Sequence, residues 1–93
     1  MGKVAQEIDE RLRAALAPAH LVITDDSASH AGHAGHDPRG ESHFTVEIVS
    51  AAFEGQSRVA RQRLVNNALA ELLAERVHAL AIRARAPSET GGA

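Results

Sequence analysis

The 93-residue sequence contains no cysteine, no tryptophan and no tyrosine, and its only benzene-type aromatic side chains are two phenylalanines. Without thiols the chain can form no disulfide and offers no cysteine nucleophile. It also cannot, alone, bind an iron–sulfur cluster through thiolates. So few rings leave a core of Leu, Val, Ile and Ala, and no set of aromatics on which nucleobases could stack. No apolar run approaches the roughly 20 residues needed to cross a bilayer. The start, Met1-Gly2-Lys3-Val4, leads into a helical pattern, not an apolar secretory segment. A cytoplasmic protein with no membrane partner is expected. The net charge of −2, with histidines neutral, gives no general attraction to nucleic acid or anionic lipid. There is no G-x-S-x-G, no P-loop and no paired-carboxylate arrangement, so catalysis is not expected.

What the chain does contain is helical and strand periodicity around a histidine-rich interruption. Its length suits one small domain with a single modest core. Val4, Ile8, Leu12 and Leu16, with Ala5 and Ala15 beside them, form an apolar stripe and predict a helix over about residues 3–16, stopped by Pro18. Leu21-Val22-Ile23-Thr24 reads as a short strand. Residues 25–42 show no periodicity. They hold Gly32, Gly35, Pro38 and Gly40 and read as a long loop, a length that in compact domains usually signals function or disorder. Phe44, Val46 and Ile48 alternate with polar residues and predict a strand with one buried face; Gly55 marks the turn after it. Ser57 is a candidate N-cap for a helix carrying Leu64, Val65, Ala68, Leu69, Leu72 and Leu73, with 57–62 as a separate short turn leading into it. A third strand is expected at Val77–Arg83, and a frayed tail over 88–93. The folded domain is thus expected over 1–87.

The order α-β-β-α-β, with a helical crossover between the last two strands, predicts an α+β fold. Its sheet would be three-stranded and mixed, with the helices on one face. No internal repeat is visible.

Several segments together carry a specific likeness: Glu41-Ser42-His43-Phe44, Phe53-Glu54-Gly55-Gln56-Ser57, Arg61-Gln62-Arg63-Leu64-Val65, Leu69-Ala70-Glu71-Leu72 and Val77-His78-Ala79-Leu80. With them the chain resembles the BolA family over nearly its whole length. The loop start Asp25-Asp26-Ser27-Ala28-Ser29-His30 resembles the histidine-bearing subgroup. The resemblance implies a class II KH-like fold and a monothiol glutaredoxin as partner, with a [2Fe–2S] cluster shared between the two proteins. Glutaredoxin and glutathione would supply thiolates. His78 matches the family's C-terminal histidine ligand, and His30 matches the loop ligand by position. Two places depart from the family pattern: Gln62 stands where a His between the arginines is usual, and Asn66 where a Tyr is usual.

The ligand chemistry is coherent, because imidazole can replace thiolate at one iron of such a cluster and binds metal only when neutral. The plain alternative for His78 is a strand-edge histidine that ligates nothing. His33 and His36 are lesser candidates. Together with His30 they recur every three residues, about 10 Å apart in extended chain, and only turns at Gly32 and Gly35 would bring two of them together. Their plain alternative is a solvated polar loop. A tract of this kind also invites adventitious Zn²⁺ or Ni²⁺. His43 is expected to be structural, and His20 simply exposed.

A rival reading is a KH-like DNA-binding transcriptional regulator, with Arg58, Arg61 and Arg63 touching phosphates. Against it, the turn Glu54-Gly55-Gln56-Ser57 holds one glycine where a KH clamp needs GXXG. The plain reading is that these arginines are solvated or pair with Glu54.

Overall fold

The computed structural model describes residues 2–26, 43–77 and 79–90. In chain order it contains α1 (Lys3–Leu16), β1 (His20–Asp25), β2 (His43–Val49), a 3₁₀ turn (Ala51–Phe53), α2 (Arg58–Ala68), α3 (Ala70–Glu75), β3 (Ala79–Arg85) and a final helical turn, α4 (Pro87–Thr90).

The expected stripe forms the buried side of α1, where Val4, Ala5, Ile8, Leu12 and Leu16 enter the core while Ala15 remains exposed. The helix stops as expected. Ala17 takes the left-handed conformation (φ 43°), its N–H donates to the Arg13 carbonyl, and Pro18 follows.

The sheet order is β1-β2-β3. β1 and β2 are antiparallel, with His20 opposite Val49 and Asp25 opposite Phe44; β2 and β3 are parallel, with His43 opposite Ala79 and Val49 opposite Arg85. The sheet is mixed and three-stranded, as expected. Phe44, Val46 and Ile48 point into a core completed by α1, α2 and α3, while the opposite face carries Val22, Glu47, Arg83 and Arg85 at the surface.

Several boundaries differ from the expectation: β1 takes in His20 and Asp25, and β3 runs to Arg85 and does not end at Arg83. β3 starts at Ala79, not Val77. The backbone N–H groups of Arg76 and Val77 both donate to the Leu72 carbonyl, so this stretch closes α3 before the ladder begins opposite His43. The second helical segment is also broken elsewhere. No separate turn precedes it: Ser57 caps α2 directly, its Oγ accepting from Ala60 N at 3.1 Å. The break falls at Leu69 (φ −109°, ψ 13°), a buried residue whose N–H is shared by the Val65 and Asn66 carbonyls.

Gly55 does make the turn after β2. With Glu54 at φ −60°, ψ 130°, Gly55 at φ +72° and Gln56 N–H bonded to the Phe53 carbonyl, it is a type II turn, which requires positive φ at its third residue.

Fraying was expected from residue 88, but Pro87–Thr90 is tied to the body of the protein. Glu89 receives a bidentate pair from Arg61 (Nη1–Oε1 2.6 Å, Nη2–Oε2 2.8 Å) and also accepts from Ala86 N. Ser88 Oγ donates to Glu54 at 2.7 Å. Hydrogen bonding from Arg61 is the main cause that pulls the Glu89 pKa down to about 2, and it raises that of Arg61. A carboxylate with a depressed folded-state pKa contributes stability that is complete above its unfolded value. That contribution is lost as pH falls through the window from about 4.5 to about 2. Glu89→Gln should therefore reduce the acid sensitivity of unfolding in that window. Wild-type and variant curves of equal steepness between pH 5 and 2 would remove the pair from the account.

Candidate functional site

Three strand ends meet at one edge of the sheet. β1 finishes at Asp25, β2 begins at His43 and β3 begins at Ala79, with Asp25 opposite Phe44 and His43 opposite Ala79. The chain on either side of residues 27–42 is held together here, since Asp26 N–H donates to the His43 carbonyl at 2.7 Å and Thr45 Oγ1 donates to the Asp26 carboxylate. Asp26 and His43 flank residues 27–42, the stretch of sequence that carries the candidates His30, His33 and His36. Val77 and Ala79, on either side of His78, adjoin the same end. His30, His33, His36 and His78 themselves lie outside the described residues.

Among the described residues, no group of three or more His, Cys, Asp and Glu side chains could hold a metal. The chain has no thiolate to offer. Its donor set, imidazoles alone, therefore fits a cluster only as one part of a ligand shell that a thiolate-bearing partner completes. His20, expected to be merely exposed, has a partner: its Nε2 lies 3.1 Å from Glu47 Oε2 across the two strands, both side chains half exposed. His43 is half-buried at the start of β2.

The arginines separate. Besides Glu89, Arg61 donates to the carbonyls of Gln56 (Nε, 2.9 Å) and Ala84 (Nη1, 3.3 Å), so its guanidinium is largely used inside the protein. Glu54, the anticipated partner, binds Ser88 instead. Arg58 and Arg61 line a groove of about 390 Å³ together with Gln62, Arg83, Arg85 and Glu89; Arg63 is exposed on α2 away from it. The sequence reading missed Arg83 and Arg85. Their two-residue spacing within a strand was the available signal, since it places both on one face.

This architecture, a mixed three-stranded sheet backed by helices on one face, defines a small α+β domain of the KH-like class. A profile of BolA-like proteins matches residues 12–89. The chain is 48% identical over 88 residues to the chloroplastic protein BOLA1 of Arabidopsis thaliana, covering 92% of this chain and 55% of that protein. It is 45% identical to BolA-like protein 1 of Pongo abelii, covering 98% and 64%. It thus spans less than two thirds of the length of these two relatives. Among solved structures, the BolA domain of SufE1 from Arabidopsis thaliana superposes with a TM-score of 0.86 at 43% identity, covering 96% of this chain and 98% of that one. BolA1 from the same organism gives 0.83 at 46% identity, covering 96% and 97%. The chain belongs to the BolA-like protein family. No helix among the described residues is long and apolar enough to cross a membrane.

Proposed function

We propose that this protein is a non-enzymatic adaptor that docks on a monothiol glutaredoxin and completes a shared [2Fe–2S] cluster with His78 and His30, in cluster trafficking or iron homeostasis. The observation supporting this reading is the convergence of chain at one end of the sheet. The hydrogen bond between Asp26 and His43, and the pairing of His43 with Ala79, bring the bases of both histidine-bearing segments together. Family membership supports it further. The chain's contribution is two neutral imidazole nitrogens; the thiolates come from glutaredoxin and glutathione. Imidazole at one iron raises the potential of such a cluster relative to all-thiolate ligation, which would suit a complex that senses or delivers the cluster.

The test is a visible absorption and circular-dichroism titration of cluster-loaded monothiol glutaredoxin with this protein in glutathione. A new spectrum saturating at one-to-one is expected, lost in His78→Ala and changed in His30→Ala. If His30→Ala behaves as wild type, His33→Ala and His36→Ala identify the loop ligand. A spectrum that wild-type protein leaves unchanged would sink the proposal and turn attention to salt-dependent DNA binding.

A further inference from the structure

The far half of β3 has features that the cluster reading does not use. Among the described residues β3 is an edge strand, with β2 on one side only. The Arg85 carbonyl accepts from Ser50 N–H on the β2 side, whereas the Ala84 carbonyl faces the other way and accepts from Arg61. Alternation along a strand then puts the N–H and C=O of Ile82 and Leu80 on the open side. The groove between this edge and the first turn of α2 holds four arginines, Arg58, Arg61, Arg83 and Arg85, against one carboxylate, Glu89, in a chain whose net charge is −2. Arg61 is spent on Glu89, while Arg58 and Arg83 have no hydrogen-bond or ion-pair partner among the described residues.

We infer that this groove receives an extended acidic segment of a partner protein, added as a fourth strand along β3. Main-chain ladder bonds to residues 80 and 82 would give affinity, and Arg58 and Arg83 would select carboxylates on alternate positions. Nucleic acid is the weaker occupant. Both phenylalanines are buried, so the groove has no aromatic ring on which a base could stack. At 3.3 Å per residue Arg83 lies about 13 Å and Arg85 about 20 Å along β3 from Ala79, while Leu80 adjoins the histidine end.

The probes are an acetylated, amidated octapeptide alternating Glu and Val, its Lys–Val counterpart, a Glu–Val peptide N-methylated at alternate residues, and an oligo-dT. Each is titrated into the free full chain while backbone amide NMR shifts are followed. The Glu–Val peptide should move the amides of residues 80–84. Arg58→Glu/Arg83→Glu, both at exposed positions, should raise its Kd at least tenfold while leaving the far-ultraviolet spectrum unchanged. Lys–Val should not bind, and N-methylation should abolish binding through loss of ladder donors. Binding that survives N-methylation would reduce the site to charge attraction and overturn strand addition. Shifts produced by oligo-dT but not by the peptide would reassign the groove to nucleic acid. Shifts that depend only on protein concentration would assign the edge to self-association. None of these outcomes bears on the glutaredoxin proposal, which needs no β3 edge.

Discussion

Phe53→Ala is expected to cost about 3–5 kcal/mol of folding stability, the range for removing a fully buried phenylalanine. A domain of this size has about 5–14 kcal/mol in total, so the variant should retain a small margin or none. Phe53 is 0% exposed and is the larger part of the short 3₁₀ turn between β2 and α2. Collapse around the vacated space is restricted on both sides. The backbone before it is held by Ser50, and the backbone after it by the type II turn at Gly55. With only two aromatic residues in the chain, no other ring can move in to compensate. Urea unfolding followed by far-ultraviolet circular dichroism measures the effect. Val59→Ala, at a position 60% exposed, should shift stability by no more than about 0.5 kcal/mol and serves as the comparison. A loss below about 1.5 kcal/mol in Phe53→Ala would mean that the core relaxes far more than its packing suggests.

Ser50→Ala is expected to cost about 2–3 kcal/mol, a large effect for the loss of one oxygen. Ser50 is the buried polar residue of the described chain, and its hydroxyl has two tasks. It donates to the carbonyl of Leu16 at 2.6 Å, satisfying the end of α1, and it accepts from Ala52 N–H at 3.1 Å, starting the 3₁₀ turn. Alanine removes both bonds and strands the Leu16 carbonyl in a dry environment, and each buried polar group left unpaired costs roughly 1–3 kcal/mol. The Ala52 amide is closer to solvent and recovers part of its loss from water, which keeps the sum near the lower figures. For a domain of this size the melting temperature should fall by about 10–20 °C. A fall under about 3 °C would show that the hydroxyl's two bonds merely replace water. The Ser50→Ala and Phe53→Ala effects should not add, because the Phe53 N–H donates to the Ser50 carbonyl and the two residues shape the same turn.

Most of the architecture was legible from local spacing. The four-residue stripe located α1, alternation around Phe44 located β2, and Ser57 and Gly55 fell at the cap and the turn that their chemistry requires. The family likeness was legible in the same way, because it rests on short segments of contiguous residues. Where the reading slipped, another residue had taken a group that looked available. Val77 was assigned to β3 on its side chain, but its amide belongs to Leu72. The tail after Pro87 looked frayed because its composition says nothing of Arg61 and Glu54. The candidate ligands are a different case: the sequence names four histidines, and all four fall outside the described residues.

The sequence by itself determined the α-β-β-α-β order of the main elements, the mixed sheet and the family, since period, capping and turn chemistry act between residues a few positions apart; the break between α2 and α3 and the helical turn α4 did not show in it. Only the tertiary structure decided what Ser50, Arg61 and Glu89 do and where the basic groove lies. Those roles depend on contacts between residues 28 and 34 positions apart, Arg61 with Glu89 and Ser50 with Leu16. A bond across such a separation exists only once the strands and helices have packed, and no local pattern encodes it.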